Sequence, residues 1–336
     1  MNKLTKLGVS ALCGSLAAVS AANAGELTVK GGATATYTSL EAATTGNPIG
    51  LSSGMTFTGS GELDNGSTFA LTLTHTDQSA YSGGNIAITT PSMGKFVIGQ
   101  SGGGVDRFDD MMPTAWEETN GTGLATGLAT VAGVGAATNI EWSAPADMLG
   151  DGTSLHVAYS PTATGGAIND KAVGGDSGVT GSGWDIAASS TGFMDGLNVF
   201  GGYSVQEQYK TAGTGGADGD RTQKVLGATY AVGSVTVGYQ WSRDNTQAVV
   251  GTSHYDNNAY GISFAVNDDL SISYGVHKSD KVTMAGTSTE LDGDSIQLAY
   301  SMGGASIKIA ETSVSDGKYN TANDLDATTL ALTLAF

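Results

Sequence analysis

Five carboxylates and one guanidinium crowd into one stretch of a chain that is otherwise poor in charge: Asp106, Arg107, Asp109, Asp110, Glu117 and Glu118. Only 14% of all residues are Asp, Glu, Lys or Arg, which makes this density stand out. What such a cluster does depends on where it is held. At a narrow point of a water-filled passage it raises the local cation concentration and repels anions. On a free surface it is a solvated acidic loop. Further acidic groups, Asp218-Gly219-Asp220, Asp292-Gly293-Asp294 and Asp324-Leu325-Asp326, read as loop tips. Oxygen-rich loops can hold Ca²⁺, but none of these matches the EF-hand loop or the Gly-Asp nonapeptide repeat. They read as solvated tips, with Ca²⁺ binding as the alternative.

Arrangements for catalysis are not found. His75, His156, His254 and His277 sit on separate segments, and Cys13 is the one cysteine. No two histidines have metal-ligand spacing, and no G-x-S-x-G elbow occurs. The run Gly213-Thr214-Gly215-Gly216 does not lead from a strand into a helix, so it is no phosphate cradle. The expectation is a protein that is not an enzyme and needs no cofactor.

Residues 1–24 read as an export signal. Lys3 and Lys6 form a positive start, Leu7 to Val19 is a short apolar run, and Ala22-Asn23-Ala24 is a small-x-small site. Cleavage is expected between Ala24 and Gly25. The apolar run is too short for a spanning helix. Leu12 before Cys13 disfavours a lipid anchor. The exported part then has no cysteine, so its stability must come from something other than disulfides. Loss of Lys3 and Lys6 takes the formal net charge from −18 to about −20, which disfavours a nucleic-acid partner. No linker divides residues 25–336, so they read as one large domain.

The elements that position the acidic cluster follow from a period of two. Sixteen segments alternate apolar with small or polar residues: 26–38, 52–64, 67–76, 82–90, 93–100, 136–144, 153–161, 182–190, 196–206, 222–231, 233–243, 255–266, 268–278, 292–302, 303–313 and 326–336. Tight turns such as Asp64-Asn65-Gly66-Ser67, Pro91-Ser92 and Met302-Gly303-Gly304 alternate with longer connections. All five prolines fall in connections or at a strand end, as a closed ladder requires. Phe69, Leu71 and Leu73 share one face, with Thr72 and Thr74 opposite. Val235, Val237, Tyr239 and Trp241 repeat the pattern, as do Ile296, Leu298 and Tyr300, and Leu330, Leu332 and Leu334. The ionisable residues on that apolar face, His75, Lys224, Arg243, Asp294 and Glu311, all lie toward the long-loop ends. Tyr37, Trp142, Tyr159, Trp184, Trp241 and Phe336 sit near strand ends, like interfacial girdles. An even number of strands with asymmetric connections and a lipid-type outer face describes an all-β, antiparallel transmembrane barrel. An unpaired edge in hydrocarbon is forbidden, so 26–38 must pair with 326–336.

The acidic cluster falls in connection 101–135, far longer than its neighbours, a length that in a compact fold points to function. Within it Leu124, Leu128 and Val131 have helical spacing, which reads as a short helix or as plain core packing.

At this point the chain resembles the general porins of Gram-negative bacteria, particularly the alphaproteobacterial type. The carriers are the leader ending at Ala24, Glu26-Leu27-Thr28-Val29-Lys30-Gly31-Gly32, Met93-Gly94-Lys95-Phe96-Val97-Ile98-Gly99-Gln100, and the terminal Leu332-Thr333-Leu334-Ala335-Phe336. The resemblance implies a sixteen-stranded barrel, a homotrimer, a third loop folded into the lumen as the constriction, and a terminal Phe336 read by the barrel-assembly machinery. Carried over by position, 101–135 becomes that loop and its acidic residues line the eyelet beside Arg107. In the family a basic cluster on the wall faces this loop. Here alternation points Lys30, Lys95 and Lys308 inward, with His156 and His277, a thin set that departs from the family's strong basic cluster. The expectation is an outer-membrane pore for small polar solutes and ions that prefers cations, set among outer-membrane lipid and lipopolysaccharide, with divalent bridging to the latter as an open idea. The alternatives are a substrate-specific channel, which wants aromatic or basic ladders inside, and a structural or adhesive barrel.

Overall fold

The computed structural model describes residues 24–41, 46–77, 82–100, 102–119, 124, 126–163, 180–209 and 217–335. Sixteen strands follow in chain order: β1 Ala24–Leu40, β2 Ile49–Glu62, β3 Thr68–Thr76, β4 Gly83–Thr90, β5 Gly94–Gly99, β6 Asn139–Ser143, β7 Thr153–Ser160, β8 Thr180–Ser190, β9 Leu197–Gln208, β10 Arg221–Val232, β11 Val235–Asn245, β12 Thr252–Ala265, β13 Leu270–Thr283, β14 Ser288–Met302, β15 Ala305–Ser315 and β16 Leu325–Ala335. Each pairs antiparallel with its sequence neighbours. β1 closes the ring against β16, from Gly32 opposite Ala335 to Leu40 opposite Ala327. Closure removes the edges, so every strand's ladder is satisfied from both sides.

The distribution of side chains is the reverse of a soluble protein's. Leu330, Leu332 and Leu334 are 46, 44 and 52% exposed, while Thr329 and Ala331, on the opposite face of the same strand, are buried. Leu71, Leu73, Val237, Tyr239, Ile296 and Tyr300 are likewise exposed, and Gln223, Gln240, Gln297, Ser242 and Asn257 are buried. Apolar groups therefore face outward and hydrogen-bonding groups face in. Tyr239 and Tyr260 pack at 5.1 Å on the outer face. The ionisable outward residues are handled locally. Arg243 donates to its cross-strand neighbour Asp256, Lys224 lies 5.7 Å above the Tyr203 ring, and Glu311 accepts from the Thr328 hydroxyl.

Short turns close one end of the barrel. Gly66 and Gly303 adopt φ of +78° and +65° there, which an L side chain rarely takes up.

All sixteen expected segments are strands, with one systematic difference. β13 runs on to Thr283 and β14 begins at Ser288. Lys278 stands opposite Asp292 and binds it at 2.5 Å, so this hairpin continues past the apolar belt on charged cross-strand pairs. Asp292-Gly293-Asp294 is therefore strand rather than loop tip, and Asp326 of the third acidic group lies in β16. The expected helix between Leu124 and Val134 is also corrected. The described residues there form no α-helix; only Gly133 and Val134 enter a 3-10 turn, Gly133–Ala136, and others lie at Gly104–Phe108 and Gly317–Tyr319. Core packing accounts for the spacing. Leu124 and Leu128 meet Leu291, Val314 and Ala327, while Val131 is buried in a second cluster.

Candidate functional site

Described residues of the segment joining β5 to β6 pack against inward-facing residues of the wall. The segment's Val105, Phe108, Met112 and Val131 pack on Ala187, Phe200, Val225 and Ala259, which project inward from β8, β9, β10 and β12. The Phe108 and Phe200 rings sit 5.1 Å apart. Full burial stabilises by about 1.5–3 kcal/mol for each such apolar side chain. The wall is cut away to receive the segment. A Cβ on Gly202 would lie 2.7 Å from Val105, one on Gly238 or Gly261 2.6 or 2.9 Å from Pro113, and one on Gly275 2.5 Å from Thr119. Gly238, Gly261 and Gly275 are direct cross-strand neighbours on β11, β12 and β13. Together they form a smooth track that larger side chains would block.

Polar wall residues hold the backbone of the segment. Asp185 of β8 accepts from the amides of Val105 and Val134, each at 3.1 Å. Gln223 accepts from Ala132 and Gly133 at 3.0 and 2.6 Å, and Gln206 donates to the Gly133 carbonyl at 2.7 Å. Gln240 donates to the Asp109 carbonyl, and Asn257 to that of Ala129. Such bonds matter because an unsatisfied buried amide costs about 1–3 kcal/mol. From the loop end, Lys318 donates its amide to Thr126, and the Tyr319 hydroxyl accepts from Ala129.

Two recesses collect the ionisable side chains. The first, of about 430 Å³, is lined by Asp109, Asp110, Thr114, Trp116, Glu117, Glu118 and Thr130. The second, of about 410 Å³, is lined by Asn85, Lys95, Val97, Gly102, Gly103, Asp106, Arg107 and Glu141. Burial pushes the Asp109 carboxyl up to about 7, reinforced by the charges of Asp110 and Asp106. Burial, with Asp110 and Asp109 adding to it, pushes Glu118 up to about 8. Burial also raises Glu117, against the pull of Lys308, and raises Asp106 together with Asp110, against the pull of Arg107.

The structure thus brings Asp109, Asp110, Glu117 and Glu118 into one recess and puts Asp106 and Arg107 in another with Lys95. Lys308 of β15 lies 5.8 Å above the Trp116 ring. Lys30 stands on β1 opposite Thr56 and lines neither recess. His277 is buried on β13, and His156 lies 3.6 Å from Glu141. Ala24 and Gly25 open β1. Phe336 and residues 1–23 lie outside the described residues.

Sequence reasoning missed Glu141. This β6 residue faces inward, accepts from Arg107 at 2.5 Å and from the Gly104 amide at 2.7 Å, and so ties up the segment's one guanidinium. Asp185 and the wall glutamines were missed as well. Their signal was present: large polar residues, and glycines, at inward positions where most of the lumen face carries Thr or Ser.

The family model described as Gram-negative porin matches residues 8–336. No curated protein matches the sequence. Solved structures share the fold at low identity. OmpT of Vibrio cholerae in its trimer form is 13% identical over 94% of this chain and 100% of that one, with a TM-score of 0.66. The Salmonella typhi OmpF complex with daunomycin is 13% identical over 92% and 97%, at 0.65. A mutant of the Rh. blastica porin is 16% identical over 93% and 100%, at 0.57. With its closed ring of sixteen strands, its apolar outer face and its ionisable side chains gathered inside, the chain belongs to the Gram-negative porin family and is a multi-pass channel protein of the outer membrane.

Proposed function

We propose that the channel passes small hydrophilic solutes and ions by passive diffusion, prefers cations, and is constricted by residues 100–138. The observation that carries this reading is the pairing of Arg107 with Glu141. It removes the segment's positive charge from play and leaves Asp109, Asp110, Glu117 and Glu118 around one recess, faced by Lys308. A carboxylate-rich lining concentrates cations and repels anions, an effect that fades with salt because screening lengths fall to about 8 Å near 0.15 M. Diffusion down a gradient calls for no cofactor and no catalytic group.

A homotrimer is part of the proposal. β5 and β6 have 6 and 5 residues, whereas a transmembrane strand needs about 9–11. That wall is too low to meet lipid along its full height, and outward Ile86, Ile98 and Ile140 give it an apolar surface suited to a second copy. The taller strands β9 to β16 face lipid, with lipopolysaccharide around their charged ends. Residues 1–24 act as the export signal, cut between Ala24 and Gly25, and Phe336 serves the barrel-assembly machinery.

The test is the reversal potential of purified protein in a planar bilayer across a salt gradient. Cation preference is expected, and it should shrink when Asp109, Asp110, Glu117 and Glu118 are all neutralised to Asn or Gln. Anion preference of the unmodified channel would overturn the proposal.

A further inference from the structure

Two neighbouring side chains on the wall grip the acidic end of the β5–β6 segment. Ser273 of β13 and Gln297 of β14 stand directly opposite each other. Ser273 Oγ accepts from the Ala115 amide at 2.7 Å. Gln297 Oε1 accepts from the next two amides, Trp116 at 3.0 Å and Glu117 at 3.2 Å. Gln297 Nε2 donates back to the Glu117 carbonyl at 2.7 Å and to Ser295 Oγ at 3.3 Å. Three consecutive amides and one carbonyl of the chain are thus held by two side chains, and all four hydrogen-bonding positions of the Gln297 carboxamide are in use. Both side chains are buried, at 4 and 2% exposure, so water is a poor substitute for either.

The grip falls where selectivity would be set. Glu117 is one of the gripped residues and Glu118 follows it, and both line the acidic recess. Trp116, also gripped, lies under the Lys308 ammonium. The position of a carboxylate relative to a permeating ion and to Lys308 depends on this backbone staying in place. Other wall bonds to the segment include those of Gln240 to the Asp109 carbonyl and Asn257 to that of Ala129, on either side of this stretch. We infer that Ser273 and Gln297 are positioning residues for ion selectivity: they hold Glu117 and Glu118 toward the conducting path, and act through those carboxylates rather than on the ion itself.

The inference rests on the proposed cation-preferring pore, and the experiment separates the two. Reversal potentials in a salt gradient are measured for the unmodified chain, Gln297→Met, Ser273→Ala, the Glu117→Gln/Glu118→Gln pair, and that pair combined with Gln297→Met. Heat-modifiable gel mobility checks folding. Gln297→Met keeps the side-chain length and removes its hydrogen bonds. It is expected to lower the cation-to-anion permeability ratio at least twofold, and to change it little once Glu117 and Glu118 are already neutral. That dependence is one a purely structural role does not produce. Ser273→Ala should act in the same direction and replaces Gln297→Met should the latter not fold. An unchanged ratio in folded Gln297→Met and Ser273→Ala, with cation preference intact, overturns the positioning role and leaves the pore reading standing. An equal loss with and without Glu117 and Glu118 overturns it too. Absence of cation preference in the unmodified chain overturns the reading beneath it.

Discussion

Ion selectivity should rise with pH across a window where ordinary carboxylates no longer titrate. Asp109 and Glu118 are pushed up to about 7 and about 8, chiefly by burial and then by Asp110. For an acid, a raised pKa keeps the group neutral until the pH exceeds that value. At pH 6 both side chains are mostly protonated, and at pH 9 both are mostly ionised, so the recess gains about two negative charges. Two charges ~8 Å from a permeating cation are worth roughly 1 kcal/mol at the dielectric constant of water. That corresponds to about a fivefold rise in local cation concentration. The assay is the reversal potential across a tenfold KCl gradient in dilute salt, where the screening length approaches ~30 Å at 0.01 M. Cation preference should climb between pH 6 and 9 and plateau above. Asp109→Asn with Glu118→Gln should flatten the climb. A profile flat from pH 6 to 9, or one that changes only near pH 4, would refute the reasoning from burial.

Arg107→Ala leaves Glu141 without its 2.5 Å partner and should raise cation preference about twofold or more, read by reversal potential. Gly261→Val places a branched side chain where even a Cβ lies 2.9 Å from Pro113, so the segment must lift off its track. Single-channel records should turn noisier and change in step size, with the barrel still folded. Leu71→Arg on the lipid face should cost roughly 2–4 kcal/mol in a urea titration in lipid vesicles, whereas Thr72→Arg on the inner face should cost far less.

Periodicity made the wall legible. The alternation of Leu71 with Thr72, or of Leu332 with Ala331, fixes which side meets lipid, and sixteen such segments leave closure as the one way to satisfy their edges. The charged extensions of β13 past Lys278 and of β14 before Asp292 were lost because Asp280, Lys281 and Glu290 look like loop until their cross-strand partners are known. Alternation tells which face a residue occupies and nothing of what reaches it from across the barrel. Asp185 meets Val105 from 80 positions away, and Gln297 meets Trp116 from 181. For the same reason the acidic cluster could be found in sequence while the loss of Arg107 to Glu141 could not. The spacing of Leu124, Leu128 and Val131 imitated a helix because an extended stretch pressed between a loop and a curved wall also buries side chains at intervals of three and four.

The proposed pore requires a continuous water path through the barrel past the segment between β5 and β6. Single-channel recording of the purified protein in a planar bilayer tests it directly. Discrete, uniform conductance steps that grow with bulk salt are expected, accompanied by cation preference at neutral pH. Protein that inserts into the bilayer and gives no steps would contradict it, because the inner face would then be sealed by the segment that is held against its wall.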